Sequence, residues 1–158
     1  MRTSIRTLVL DIEVEPAEAW VWQLYDVTVG LNQLKKPSSI MSWAAMWAGE
    51  DEIYFSSTFD HGREAMVHAI WEMLDEADEV VTFNGDKFDL RHLNAEFMVE
   101  GIGPPSPYKK IDLLKVVRRN AKFMSNRLQF LSGAFGIGSK IDTGGFELWV
   151  ECMKGSKK

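Results

Sequence analysis

The order of apolar and polar positions in the first third of the chain predicts three β-strands. Residues 7–12 form a short apolar run with β-branched side chains at intervals, which is typical of a buried strand. Residues 40–47 are apolar and aromatic, and residues 52–57 alternate between polar and apolar side chains. The polar turn at 49–51 between them predicts that these two strands form an antiparallel hairpin.

Beyond Gly62 the apolar positions recur at helical spacing, interrupted by short strands. One helix is predicted from Gly62 to about Ala77, and a second from Asp89 to about Glu100. The side chains predicted to face inward from the second helix are Leu90, Leu93, Phe97 and Met98. The remaining elements are predicted as strands at 79–83 and 110–113, and as helices through Val117, at 127–135 and at 146–153.

Three early strands followed by alternating strands and helices predict an α/β fold, with a mixed sheet flanked by helices. At 158 residues the chain is expected to form a single domain, residues 1–158. It contains no run of 18 apolar residues, so no membrane partner is expected. Cys152 is the only cysteine, which excludes an internal disulfide and a cysteine-rich zinc site and fits a reducing cytoplasm.

The charge distribution changes the expectation about partners. The net charge of −5 argues against non-specific binding of nucleic acid. Residues 108–127, however, contain seven Lys or Arg side chains and one acidic residue, Asp112. This basic segment is either a solvated helix face or an edge that contacts phosphates beside an acidic site.

Two carboxylates lie close together at the end of the first predicted strand. Asp11 and Glu13 are two residues apart, so both side chains leave the same face of that strand. Carboxylates this close repel each other and gain from sharing a divalent cation. A plain surface strand end is the alternative. The fully apolar strand before them predicts a central position, where ligands gather at carboxyl ends.

A second candidate region follows the strand at 79–83. Asn84 and Gly85 form a turn, and Asp89 opens the next helix. Asp89 is either a helix N-cap, worth about 1 kcal/mol, or part of the acidic site. Phe88, just before it, is predicted to be covered by the helix or by a ligand, and an aromatic ring beside an acidic cluster suits an unpaired base.

These residues resemble a known family. The stretch 10–13, followed by Pro16, resembles the first motif of the DEDD (DnaQ-like) 3′–5′ exonucleases, and 82–89 resembles their second motif. The second motif is similar to that of family-B polymerase proofreading domains. The chain as a whole is similar to stand-alone RNase H-like nucleases, many of them phage-encoded, at Trp20, Trp22, 31–33, 107–113 and 147–149.

The resemblance implies an RNase H-like fold and a metal-dependent 3′–5′ exonuclease that acts on single-stranded or frayed DNA in a cytoplasm, including that of a phage host. It implies that Asp11, Glu13 and Asp89 are catalytic carboxylates that bind Mg²⁺ or Mn²⁺, with two ions in a complete site. It also implies that Asn84 and Phe88 position the terminal nucleotides. The segment 20–33 is expected to border the cleft, with most of its aromatic rings in the core.

Two departures from the family pattern matter. Val14 stands where the family usually has a hydroxyl-bearing residue. The third motif, with Tyr or His and the fourth acid on a helix after 147–149, is absent, so the C-terminal helix is expected to be missing and the domain truncated. Three carboxylates are expected to hold at most one ion well. Asp112 and Asp142 are the acids placed to substitute, although each also suits a strand end or a loop.

The sequence is also compatible with two other functions. An RNase H-like site in a cleft open at both ends makes a structure-specific endonuclease. A site without its fourth acid makes a catalytically incomplete nucleic-acid-binding module, or one part of a nuclease completed by a partner chain. None of His61, His68 and His92 has the context of a general base, so each is expected to be a surface or core residue.

Overall fold

A five-stranded mixed sheet organises the part of the chain that the computed structural model describes, residues 4–138, 141 and 145–155. Its strands are β1 (Thr7–Glu15), β4 (Ser39–Trp47), β5 (Tyr54–Ser57), β6 (Glu79–Thr82) and β7 (Lys109–Asp112). A separate ribbon is formed by β2 (Glu18–Ala19) and β3 (Leu34–Lys36). The strand order in the main sheet is β5-β4-β1-β6-β7, with β1 in the centre. β1 runs antiparallel to β4 and parallel to β6, which is parallel to β7.

Six α-helices accompany the sheet within these residues. They are α1 (Thr58–His61), α2 (Arg63–Glu76), α3 (Asp89–Val99), α4 (Leu113–Asn120), α5 (Leu128–Phe135) and α6 (Phe146–Met153). In the part of the chain covered by the structure, no helix has the length and apolar composition needed to cross a membrane. The architecture confirms the predicted α/β class, with a mixed sheet flanked by helices.

The core lies where one face of β1 and β4 meets α2 and α3. Leu8, Leu10 and Ile12 of β1 are buried, as the alternation of a strand requires. On α2 the buried side chains are Met66, Val67, Ile70 and Leu74. Trp43 of β4 joins the two layers, because its indole nitrogen donates a 2.8 Å hydrogen bond to the Met66 carbonyl. A buried indole N–H needs such a partner, so this bond fixes the position of β4 against α2.

The inward face of α3 differs from the prediction at one position. Leu90, Leu93 and Phe97 are buried as predicted, whereas Met98 is 80% exposed. The inward position is taken instead by Glu96, which forms an ion pair with Arg63 and accepts a hydrogen bond from the Ile40 amide. A buried carboxylate is tolerated when it is paired in this way, and hydrophobicity alone does not reveal such a partner.

The expectation that most aromatic rings of residues 20–33 lie in the core is wrong. Trp20, Trp22 and Tyr25 are exposed, and Trp22 is 99% accessible to solvent. The segment forms a loop that leaves the sheet after β1 and returns through β3. The loop makes its own small ribbon, so its apolar side chains have no layer to pack against.

Candidate active site

The central strand β1 carries the two candidate carboxylates on its exposed face. Asp11 and Glu13 alternate with the buried Leu10 and Ile12, so both point to the same side of the sheet. The parallel pairing of β1 with β6 ends at Val9. The two acids therefore follow the point where the parallel part of the sheet ends, which is where α/β proteins place ligands.

The third candidate acid, Asp89, reaches the same strand from the start of α3. Its Oδ1 accepts a 3.1 Å hydrogen bond from the Ile12 amide, and only 3% of the residue is exposed. Phe88 occupies the N-cap position of α3, and no side chain caps the helix there. Asp89 is therefore not the N-cap of α3. Its hydrogen bond to the Ile12 amide lies beyond Val9, the last residue of β1 that pairs with β6.

Burial, the largest effect, raises the pKa of Asp89, and the negative charge of nearby Asp11 raises it further. Hydrogen bonds from the amides of Asp89 and Ile12 and the nearby His92 act in the opposite direction but do not cancel the rise. Asp11 and Asp89 are therefore close enough to repel each other. A cation bound between them would favour the charged form of both.

The turn between β6 and α3 has a strained and tightly packed backbone. Asn84 adopts a left-handed conformation with φ of 69°, which Asn tolerates better than most residues. Its amide donates a 2.8 Å hydrogen bond to Oδ1 of Asp112, which also accepts a 3.0 Å bond from the Leu114 amide. Asp112 is buried and caps α4, so its Oδ1 stabilises this turn. Asp142, the other candidate for a fourth carboxylate, lies outside the described residues.

Phe88 lies at the surface beside the acids. It is 41% exposed, and its ring meets the His92 ring edge-on at a centroid distance of 4.7 Å. His92 lies one helical turn further along α3 and is half-buried. The histidine thus supports one edge of Phe88, while part of the aromatic ring stays accessible to a ligand.

A cleft of about 600 Å³ opens over the exposed face of β1. It is lined by Asp11, Glu13, Leu128, Gln129, Ser132, Ile137 and Gly138. Gln129 and Ser132 come from α5 and were not predicted as site residues. Their signal in the sequence was weak, since it consists of two polar positions three apart in an apolar helix, which places them on one face. Asn84, Phe88 and Asp89 do not line this cleft.

The acids suit a hard cation in kind, because carboxylate oxygens are the ligands that Mg²⁺ and Mn²⁺ prefer. Their number is limited. Among residues 4–138, 141 and 145–155, no three His, Cys, Asp or Glu side chains converge closely enough to form a ready metal site. Asp11 and Glu13 form a pair on the cleft wall, and Asp89 stands beside them with one oxygen bonded to β1.

Gly85→Ala is expected to lower the free energy of unfolding by about 1–3 kcal/mol, the usual cost of overpacking. A Cβ at Gly85 would overlap the side chain of Thr82, which is buried at the end of β6. Urea denaturation measures the loss. The control is Gly103→Ala, where a Cβ has nothing within 4 Å, and which should change stability by less than about 0.5 kcal/mol. Equal stability of the two variants would contradict the tight packing of this turn.

Comparison with known proteins identifies the fold. A family model described as the RNase H superfamily matches residues 28–149. This region contains Asn84, Phe88 and Asp89, and it begins after Asp11 and Glu13.

The family B DNA polymerase of the hyperthermophilic archaeon Pyrobaculum calidifontis is similar in structure, with a TM-score of 0.70 and 14% identity over 95% of this chain. The match covers 21% of that polymerase, so this chain spans about a fifth of its length. Comparison with curated proteins gave no match.

Proposed function

The chain belongs to the RNase H superfamily, and on that premise we propose that it is a metal-dependent nuclease, specifically a 3′–5′ exonuclease acting on single-stranded or frayed DNA. The observation that carries the proposal is the pair Asp11 and Glu13 on the wall of an open cleft, with Asp89 beside them. The likeness of residues 82–89 to the second DEDD motif supports the exonuclease assignment. Residues 10–13, which resemble the first DEDD motif, contain the acid pair Asp11 and Glu13.

Asp11 and Glu13 would hold Mg²⁺ or Mn²⁺, and Asp89 would complete the ligand set from the other side. The bound cation supplies an activated water and stabilises charge on the leaving oxygen. Two such ions need several carboxylates close together, and these three acids would hold at most one ion well. We propose that a second ion, where it is required, takes a ligand from outside the described residues or from a partner chain.

The protein's own side chains would orient the substrate around that cation. Gln129 and Ser132 present polar groups across the cleft from the acids, where they suit the sugar and phosphate of a nucleotide. Phe88 offers part of an aromatic ring near Asp89, which suits the terminal base. The exposed Arg118 and Arg119, in the last turn of α4, belong to the basic segment 108–127 and suit the phosphates of the strand.

The proposal is tested with linear and circular single-stranded DNA of the same sequence, in Mg²⁺ and in Mn²⁺. A 3′–5′ exonuclease shortens a 5′-labelled linear strand one nucleotide at a time and leaves the circle intact. Cleavage of the circle would replace the exonuclease with an endonuclease of the same superfamily. An RNA strand of matching sequence in a parallel reaction determines which nucleic acid is preferred.

A binding module without catalysis is the second candidate, because the described residues contain no ready group of three metal ligands. It predicts that oligonucleotides bind while both linear and circular strands stay intact in either metal. Degradation of the linear strand that requires a divalent ion and stops with chelator would exclude this candidate.

Phe88→Ala is expected to weaken binding of single-stranded oligonucleotides by about 1–3 kcal/mol, the usual value of one stacked base. Because the ring is 41% exposed, stability should fall by less than the roughly 3–5 kcal/mol of a truncated core phenylalanine. Fluorescence anisotropy and urea denaturation measure the two effects. The control is Phe55→Ala on the edge strand β5, which is 57% exposed and should leave binding unchanged. Unchanged affinity with a full core penalty would assign Phe88 to packing alone.

A further inference from the structure

The loop between β2 and β3 exposes an unusual set of apolar side chains. Residues 18–36, here called the aromatic hairpin, include Trp20, Trp22 and Tyr25, which are 71%, 99% and 81% exposed. Leu24 and Leu31 are 85% and 90% exposed in the same loop. Single exposed apolar residues are ordinary, but five of them in one loop, three of them aromatic, indicate a binding surface.

The base of the aromatic hairpin is held in place by polar contacts. Lys35 pairs with Glu18 at 2.9 Å, and Lys36 pairs with Glu15 at the end of β1 at 2.6 Å. The Trp20 amide donates to the Gln33 carbonyl at 2.9 Å, and the Gln33 side chain donates back to the Trp20 carbonyl at 3.1 Å. The loop therefore presents its rings from a defined anchor on the sheet.

The aromatic hairpin grows directly from the strand that carries the acid pair. Trp20 follows Glu13 by seven residues, so its Cα lies at most about 25 Å from that of Glu13, since a fully extended chain spans at most about 3.6 Å per residue. A stacked strand advances about 3.4 Å per nucleotide. The base of the aromatic hairpin at Trp20 is therefore within reach of a strand bound at the acids, several nucleotides from its end.

The aromatic hairpin is neutral whereas the chain as a whole is acidic, so it repels a polyanion less than the rest of the surface does. Residues 18–36 contain two acidic residues, Glu18 and Asp26, and two lysines, Lys35 and Lys36, in a chain of net charge −5. Lys35 also lies over the Trp20 ring, at 5.7 Å from its centroid. Indole and phenol rings beside lysines are the combination that holds unpaired bases and their phosphates without sequence preference.

We propose that the aromatic hairpin binds the single-stranded part of the substrate, with Trp22 and Tyr25 stacked on unpaired bases several nucleotides from the acid pair. This inference rests on the proposed nuclease function and adds a second contact for the strand. It assigns to the hairpin a role in holding long substrates, whereas Phe88 acts on the terminal nucleotides. Oligonucleotides that are long enough to fill only the acidic site should therefore bind with an affinity that does not depend on the aromatic hairpin.

The test compares oligo-dT of three and of fifteen nucleotides, both 5′-labelled, by fluorescence anisotropy in chelator so that no strand is degraded. Trp22→Ala and Tyr25→Ala are each expected to raise the Kd of the 15-mer at least about fivefold, and to leave that of the 3-mer unchanged. Trp22→Phe should retain most of the affinity. Because Trp22 is 99% exposed, the melting temperature should not change, so loss of fold cannot explain the result.

Two matched variants separate the possible outcomes. Phe88→Ala should weaken both lengths, and Met98→Ala, an exposed apolar change on α3, should weaken neither. Unchanged 15-mer affinity in the hairpin variants, with the Phe88 effect intact, overturns this inference and leaves the proposed function standing. If neither oligonucleotide binds to the unmodified chain, this inference and the proposed function are both overturned. Conversion of a dimer to a monomer by Trp22→Ala, without an effect on the 15-mer, assigns the hairpin to contact between copies and also overturns it.

Discussion

Asp11→Asn is expected to lower nuclease activity by at least about 100-fold, because even residues that only orient a metal ligand cost about 10–100-fold when they are replaced. The substitution keeps the shape of the side chain and removes one of two charges on the cleft wall. Release of nucleotides from single-stranded DNA in Mg²⁺ and in Mn²⁺ measures the loss. Calorimetry with Mn²⁺ should show one bound ion in the unmodified chain and a large loss of affinity in the variant.

The control for this prediction is Asp51→Asn, which makes the same charge change on an exposed residue in the turn between β4 and β5. That turn follows Trp47, which pairs with Leu8 near the start of β1, so it lies at the opposite end of the strand from the acids. Asp51→Asn should retain full activity. Equal activity of the Asp11 variant and the unmodified chain would remove Asp11 from the catalytic group.

Asp11→Asn also separates a functional acid from a structural one. Asp11 raises the pKa of the buried Asp89 by repulsion, so its removal should leave the melting temperature in chelator equal or slightly higher. A melting temperature several degrees lower would mean that Asp11 stabilises the fold. The same test at Asp89 uses Asp89→Asn. Its Oδ1 accepts a hydrogen bond from the Ile12 amide, and an alanine would leave that buried donor unpaired.

Asp112→Ala is expected to lower the free energy of unfolding by about 2–4 kcal/mol, since an unsatisfied buried amide costs about 1–3 kcal/mol. Oδ1 of this residue accepts hydrogen bonds from the amides of Asn84 and Leu114, and the residue is 5% exposed. Both amides lose their acceptor in the variant. Urea denaturation with a fixed slope measures the change in stability.

Asp112→Asn is the matched variant, because an amide oxygen can accept both hydrogen bonds at nearly the same position. It should be clearly more stable than Asp112→Ala, although less stable than the unmodified chain, since bonds to a charged acceptor are stronger. A loss of activity in Asp112→Asn without loss of stability would instead make Asp112 the fourth metal ligand. Similar stability of the two variants would show that the bonds to the turn at 84–88 contribute little.

Features that depend on local geometry were predictable from the amino-acid sequence alone. The alternation of β1 placed Asp11 and Glu13 on one face, because successive side chains of any strand point to opposite sides. The polar turn after Trp47 indicated the β4–β5 hairpin, and helical spacing indicated α2 and α3 to within a few residues. The RNase H-like fold was indicated by the motifs at residues 10–13 and 82–89, each of which is a short continuous stretch at the end of a strand.

Other features depend on partners far away in the chain, so they became visible only in the folded protein. Asp89 bonds to an amide 77 residues earlier, and Asp112 to one 28 residues earlier, so neither role is visible in local sequence. Glu96 is buried because Arg63 and the Ile40 amide are present to receive its charge. Met98 is exposed because its part of α3 faces away from the sheet.

The aromatic hairpin shows the limit of composition as a guide to burial. Trp20, Trp22 and Tyr25 have the hydrophobicity of core residues, and their sequence alone predicts that they are buried. Burial requires a second apolar layer within contact distance, and the ribbon of β2 and β3 forms a sheet of its own beside the main one. Hydrophobicity is a property of each residue, whereas the presence of an opposing surface is a property of the whole fold.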